Sequence, residues 1–232
     1  FNTHQGSVLG YVHDTTSGFN ASILAFYNYS DNNYEIWGDD VYVTNASTFE
    51  IERGIRTERF HDAFRSTSVK LDVGLTKRKW ADQISVGVVG SLMDKEIQHG
   101  PTMEVTYGEA KYFQNTIIPY LTFKKRNIKK RIDLNLFSSY NVIAKQRVDT
   151  SRNIYNWYGE IDGYRTVGGE QKRTLNQLNE HVWLNRINAV YKLNSNQRII
   201  INNVSSFLTR KENDPILTSK NDGYWAPQRP VS

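Results

Sequence analysis

The chain has 232 residues, no cysteine and a formal net charge of +5 at neutral pH. Without cysteine there is no disulfide framework, thiolate metal site or cysteine nucleophile, and the mild positive charge permits phosphate, nucleic-acid or acidic-lipid partners without requiring one. A mean hydropathy of −0.60 and the lack of any apolar run of about 18 residues exclude a transmembrane helix; they do not exclude a membrane barrel, whose lumen and loops are polar. No Pro/Gly/Ser-rich linker divides the sequence, so residues 1–232 are expected to form one unit. The opening "FNTHQGSVLG" has neither an initiator Met nor a basic-then-apolar leader, which is expected of a mature or excised segment.

Apolar residues recur at a period of two far more often than at helical spacing. Eight strands are therefore expected, at about 7–13, 20–30, 64–76, 83–93, 114–124, 131–142, 183–193 and 198–209. In 64–76, Val69, Leu71, Val73 and Leu75 alternate with Ser68, Lys70, Asp72 and Gly74. In 83–93, Ile84, Val86, Val88 and Leu92 oppose Ser85, Gly87, Val89 and Ser91. Further along, Ile117, Pro119, Leu121 and Phe123 oppose Thr116, Ile118, Tyr120 and Thr122. In 131–142, Leu134, Leu136, Tyr140 and Val142 oppose Asp133, Asn135, Ser139 and Asn141. The strand at 198–209 is ambiguous, because "IIINNVSSFL" places polar residues on both faces.

The connections alternate strictly. Short turns ("DTTSGF", "KRKWAD", "KRNIKK", "NSNQ") are interleaved with long segments, an arrangement typical of outer-membrane barrels with tight periplasmic turns and extended outer loops. Strands of about 10 to 13 residues exceed the soluble mode of about 5 to 6 and match the length that a tilted membrane strand needs. The expected fold is thus all-β, an antiparallel up-and-down transmembrane β-barrel segment of about eight strands with alternating short turns and long loops. A soluble antiparallel sheet with one wet face also alternates; loop alternation and strand length favour the barrel.

A lysine on the lipid face near the midplane costs about 2 to 4 kcal/mol. Lys70, Asp72, Asp133 and Asn135 are therefore expected to face the lumen, with Val69, Leu71, Val73 and Leu75 toward lipid. Trp80 and Phe123 at the turn side, and Phe64, Tyr112, Phe113 and Trp183 at the loop side, fit interfacial girdles.

No constellation points to catalysis. His4, His13, His61, His99 and His181 lack metal-ligand spacing, and no nucleophile elbow or phosphate-binding glycine loop occurs. No enzyme activity, metal or cofactor is expected. "SDNNYEIWGDD" (30–40) is rich in oxygen ligands but lacks the EF-hand pattern, and reads as a polar outer loop. "KKRNIKKR" (124–131) is the strongest basic run; it straddles a turn, so a solvated turn is favoured over a nucleic-acid surface. The loop "NIYNWYGEIDGYRTVGGEQKR" (153–173) mixes rigid aromatics with polar groups, as a binding loop does. Tyr155, Trp157, Tyr158 and Tyr164, with Trp37 and Tyr42 from the first long loop, are the ligand-binding candidates.

At "YNYSDNNYEI", "RFHDAFRSTSVKLDVGLTKRKWADQ", "DKEIQHGPTMEVTYGEA" and "RNIYNWYGE" the sequence resembles TonB-dependent outer-membrane receptors. It looks closest to the branch with a carboxypeptidase-regulatory-like domain, related to SusC-like importers. The resemblance implies a Gram-negative outer-membrane location and part of a larger barrel whose plug, pulled through TonB, admits a nutrient. It further implies lipid, the TonB complex and a surface lipoprotein lid as partners. Neither plug nor TonB box is recognised, so an internal slice of the barrel is expected. Two alternatives are a closed eight-stranded adhesin or structural barrel, in which 7–13 pairs with 198–209, and a soluble basic nucleic-acid-binding β-protein with its aliphatic faces in a core.

Overall fold

The computed structural model describes residues 1–45 and 47–216, and all regular structure among them is β. The first strands are β1 (Thr3–His13) and β2 (Phe19–Ser30). Four short strands follow in the first long loop: β3 (Glu35–Ile36), β4 (Tyr42–Thr44), β5 (Ile51–Arg53) and β6 (Thr57–Glu58). Then come β7 (Phe64–Thr76), β8 (Gln83–Glu96), β9 (Lys111–Ile128) and β10 (Ile132–Val148). Two further short strands, β11 (Asn153–Tyr155) and β12 (Ile161–Tyr164), precede β13 (Gln177–Lys192) and β14 (Arg198–Asn213).

The eight long strands form one antiparallel sheet in the order β1-β2-β7-β8-β9-β10-β13-β14, each pairing with the next long strand along the chain. Tight turns at 14–18, 77–82, 129–131 and 193–197 close one end, and long loops at 31–63, 97–110 and 149–176 lie at the other. All eight expected strands are present. The second and third loops are shorter than expected because β9, β10 and β13 extend further toward them. There the residues are polar on both faces (Lys145, Gln146, Arg147; Gln177, Asn179, Glu180), so alternation fades while backbone pairing continues.

The sheet is open. Among the described residues each edge strand has a single partner, β2 for β1 and β13 for β14, so the pairing of 7–13 with 198–209 that a closed eight-stranded barrel requires is absent. Neither edge is guarded by charge or proline at its centre. Val8, Leu9, Tyr11 and Val12 on β1, and Ile199, Ile200, Ile201, Val204, Phe207 and Leu208 on β14, are exposed on both faces. Such an edge invites a further strand.

Directly opposed residues of an antiparallel pair share a face, so the registers sort the side chains. Ile23, Leu71 and Val88 stand in one row, continued by Tyr140, Trp183 and Phe207. Val73, Val86 and Leu121 stand in the next. On the opposite face Asp72, Gly87, Tyr120 and Ser139 are aligned, as are Asn135, Asn188 and Asn202.

The aliphatic face is the more open one. Leu71 is 43% exposed, Val86 55% and Ile117 58%, whereas Asp72, Thr116, Ile118 and Tyr120 on the polar face are half-buried. None of the buried hydrophobic residues belongs to the eight long strands; Ile36, Val41, Ile55, Tyr107, Ala110 and Trp157 lie in the loop assembly and Ala81 in a tight turn. The apolar band also drifts across the sheet. On β2 it reaches Tyr29, opposite Arg65, but on β14 it stops at Phe207, in the row of Leu71. A stagger of this kind keeps a band level when strands are tilted.

Candidate functional site

The three long loops fold together above the sheet. Trp157 is 1% exposed and packs with Ile36, Val41 and Ile55, against which Val43, Phe60 and Met103 also lie. Its indole Nε1 donates to Met103 O at 2.8 Å, and Thr57 Oγ1 donates to Trp157 O at 2.9 Å, tying all three loops to one residue. Full burial of side chains of this kind contributes about 1.5 to 3 kcal/mol each.

Buried carboxylates lock the second loop to the third and close the third on itself. Glu170 accepts the backbone N–H groups of Gly108, Glu109 and Ala110 at 2.6 to 2.8 Å. Asp149 accepts those of Gln171 and Lys172 at 2.9 and 3.0 Å. In the first loop a buried pair, Arg59 to Asp62 at 2.8 Å, is held by Gln98 Oε1, which accepts from Arg59 Nε at 2.9 Å. Burial pushes the Asp62 carboxyl above its ordinary value, and Arg59 only partly opposes this.

Between the loops lies an open cleft of about 580 Å³. Tyr42, Phe49, Val105, Ile154 and Tyr155 line it. Glu104, Asp162 and Arg165 add charge to the lining. The Tyr155 hydroxyl donates to Glu109 at 2.8 Å, and Asn153 Nδ2 donates to the same oxygen at 2.6 Å. Burial acts to raise the Glu109 carboxyl, but these hydrogen bonds outweigh it and hold the group below the usual range. Burial, reinforced by the bond to Glu109, pushes the Tyr155 phenol up. Gly108 leaves room for the Tyr155 ring, which a side chain at that position would strike. Chemically, the cleft offers ring faces for stacking and carboxylates that accept hydrogen bonds.

Of the six aromatic candidates, the structure brings Tyr42, Tyr155 and Trp157 to this cleft. Trp157 does not present its ring to solvent; it is the centre of the loop core, which corrects its expected place on a ligand surface. Its position follows from the three-loop packing, which no local pattern encodes. Trp37, Tyr158 and Tyr164 are exposed and stand outside the cleft lining. Trp37 lies under the Arg56 guanidinium at 5.2 Å, and Tyr42 under Arg53 at 4.9 Å. Phe49, Glu104, Val105, Glu109 and Arg165 were not singled out by the sequence. The Gly-Glu pair of "EVTYGEA" is the one local sign, a glycine giving clearance beside a carboxylate.

On the polar face of the sheet, Lys70 Nζ lies 3.2 Å from Asp72 and 5.6 Å from the centre of the Tyr120 ring. The Tyr120 hydroxyl donates to Asp72. Asp133 pairs with Lys192 at 3.1 Å, and Asn135 donates to Asn188 at 3.2 Å. Asn188 in turn donates to Asn202. Lys145, Glu180 and Arg210 form a further group, at 2.6 and 3.6 Å from the central carboxylate. The four polar-face candidates thus share one face and join networks that cross several strands.

No protein-family model, curated protein or solved structure matches the chain.

Proposed function

We propose that the chain forms part of the wall and outer mouth of an outer-membrane, TonB-dependent nutrient-import receptor in a Gram-negative bacterium. The observation that carries the membrane reading is the inverted sheet. Its aliphatic face is open, its polar face is sheltered, and its hydrophobic burial lies in the loops and one turn. In water about 25 cal/mol would be lost for each Å² of apolar surface left exposed, so a belt containing Leu71, Val73, Val86, Ile117 and Leu121 needs lipid or an equivalent cover. From Val69 to Leu75 the belt runs about 20 Å along the strand at about 3.3 Å per residue, which at a barrel strand's tilt spans about 15 Å of an apolar band about 25 Å tall.

The unguarded edges of β1 and β14 support a wall that continues on both sides, as in a large barrel. The folded loops would supply a preformed receptor surface, with the cleft beside Tyr42 and Tyr155 as its ligand site and a surface lipoprotein as a candidate lid. The polar networks around Asp72 and Asn188 would line the lumen in which a TonB-driven plug sits. Open aliphatic rows speak against the soluble nucleic-acid reading, which needs them in a core. The absence of pairing between the edges speaks against the closed eight-stranded barrel.

The reading is tested by comparing Leu71→Lys with Lys70→Leu in outer-membrane fractions. Leu71→Lys is expected to reduce assembled protein severely and Lys70→Leu only mildly; equal losses would contradict it.

A further inference from the structure

The turn end of the sheet carries a charge that the import reading leaves unused. Residues 77–79, 124–126 and 129–131 are all lysine or arginine, against two carboxylates, Asp82 and Asp133, in the same turns. Both acids are already paired. Asp82 lies 3.4 Å from Lys125 and 3.6 Å from Arg126, and Asp133 lies 3.1 Å from Lys192. Lys77, Lys79, Lys124, Lys129 and Lys130 are exposed, and none makes an ion pair among the described residues.

Two hairpins are brought side by side here, because Gln83 pairs with Lys124 and the Asp82 N–H donates to Lys124 O at 2.9 Å. Trp80, 56% exposed, projects from the same turn. The aliphatic belt ends just beyond, at Leu75, Ile84 and Phe123.

Backbone geometry gives a second sign. Lys129 and Lys130 have φ of 48° and 61°, closed by the Arg131 N–H on Ile128 O at 3.0 Å. Consecutive left-handed residues are ordinarily Asn-Gly, since a Cβ is strained there. Lysine at both positions carries a strain that Asn-Gly would not.

We infer that this end of the sheet docks on the anionic headgroups of the phospholipid leaflet it meets. Lys77, Lys79, Lys129 and Lys130 of the turns would contact phosphodiester oxygens while Trp80 sits at headgroup level, whereas Lys124 shares the polar face with Thr122 and Tyr120. Indole and bases at the edge of an aliphatic belt make the arrangement of an interfacial anchor. A nucleic acid is disfavoured because no ring platform accompanies the bases. The inference rests on the membrane reading above.

The test reconstitutes the protein in neutral phosphatidylcholine bilayers and in mixtures with phosphatidylglycerol, then measures which lipid is retained after mild detergent extraction. Phosphatidylglycerol is expected to be enriched several-fold, the enrichment falling as salt rises. The combined Lys79→Gln, Lys129→Asn and Lys130→Gly variant is expected to lose most of it while remaining folded, since Asn-Gly suits the turn. Lys79→Gln alone is expected to give a smaller loss in the same direction. Equal retention of both lipids, an unchanged variant, or stronger binding to peptidoglycan fragments or an oligonucleotide than to phosphatidylglycerol would overturn the inference. Failure to enter neutral bilayers at all would overturn the membrane reading instead.

Discussion

The Tyr120 hydroxyl on β9 donates to the Asp72 carboxylate on β7, reaching across the whole of β8. Gly87 makes this possible, because it is the residue of β8 that stands between them and a Cβ there would enter the Tyr120 ring. Gly87→Val is therefore expected to destabilise the sheet by about 1 to 3 kcal/mol through overpacking. Tyr120→Phe, which keeps the ring, should cost about 1 kcal/mol. Combining Gly87→Val with Tyr120→Ala should be less damaging than the sum of the two, since the clash with the ring is removed and only that with the Leu71 carbonyl remains. Denaturant unfolding of the four proteins measures the coupling; strict additivity would show that ring and glycine do not meet.

Trp157 and Trp37 separate packing from surface recognition within one loop assembly. Trp157→Ala is expected to lose about 3 to 5 kcal/mol from the loop core and to open residues 31–63 and 149–176 to protease. Trp37, 62% exposed, should be replaceable by alanine without new cleavage. Limited proteolysis followed by mass spectrometry distinguishes the two, and comparable cleavage in both would contradict the assignment of Trp157 as the anchor.

Glu109, which accepts from the Tyr155 hydroxyl, gives the loop assembly an acid limit. Its folded pKa lies below the ordinary 4.5 because Tyr155 and Asn153 donate to it against the opposing effect of burial. A depressed carboxyl contributes stability that is present above the unfolded value and lost as pH falls through the folded one. The Tyr155 side of the cleft is thus expected to hold at neutral pH and to loosen below about pH 4.5. Glu109→Gln should remove this dependence. Tyr fluorescence or amide exchange around Tyr155 across the acid range reads the difference, and an unchanged acid response in the variant would count against it.

The sheet was legible because two-residue periodicity is a local signal. Val69, Leu71, Val73 and Leu75 announce a face without reference to anything distant, and the strand at 64–76 is found at Phe64–Thr76. Where both faces are polar, as at Lys145 to Arg147, the pattern vanishes and the expected strands fall short of the observed ends. The short strands β3 to β6 and β11 to β12 contain two to four residues each, too few for any period to register. The burial of Trp157 was illegible for another reason, since it depends on Ile36, Val41, Ile55 and Met103, which lie far away in sequence. Tyr42 and Tyr155 reach the cleft through the same long-range packing.

The central claim is that Leu71, Val86 and Leu121 meet lipid while Lys70, Ser85 and Thr122 meet water. The protein has no native cysteine, so single substitutions Leu71→Cys, Val86→Cys and Leu121→Cys can be set against Lys70→Cys, Ser85→Cys and Thr122→Cys. Each is labelled in membranes with a fluorophore and challenged with a lipid-borne quencher and a water-soluble one. The first three are expected to respond to the lipid-borne quencher and the last three to the soluble one. The same response on both faces, or its reversal, would contradict the membrane wall.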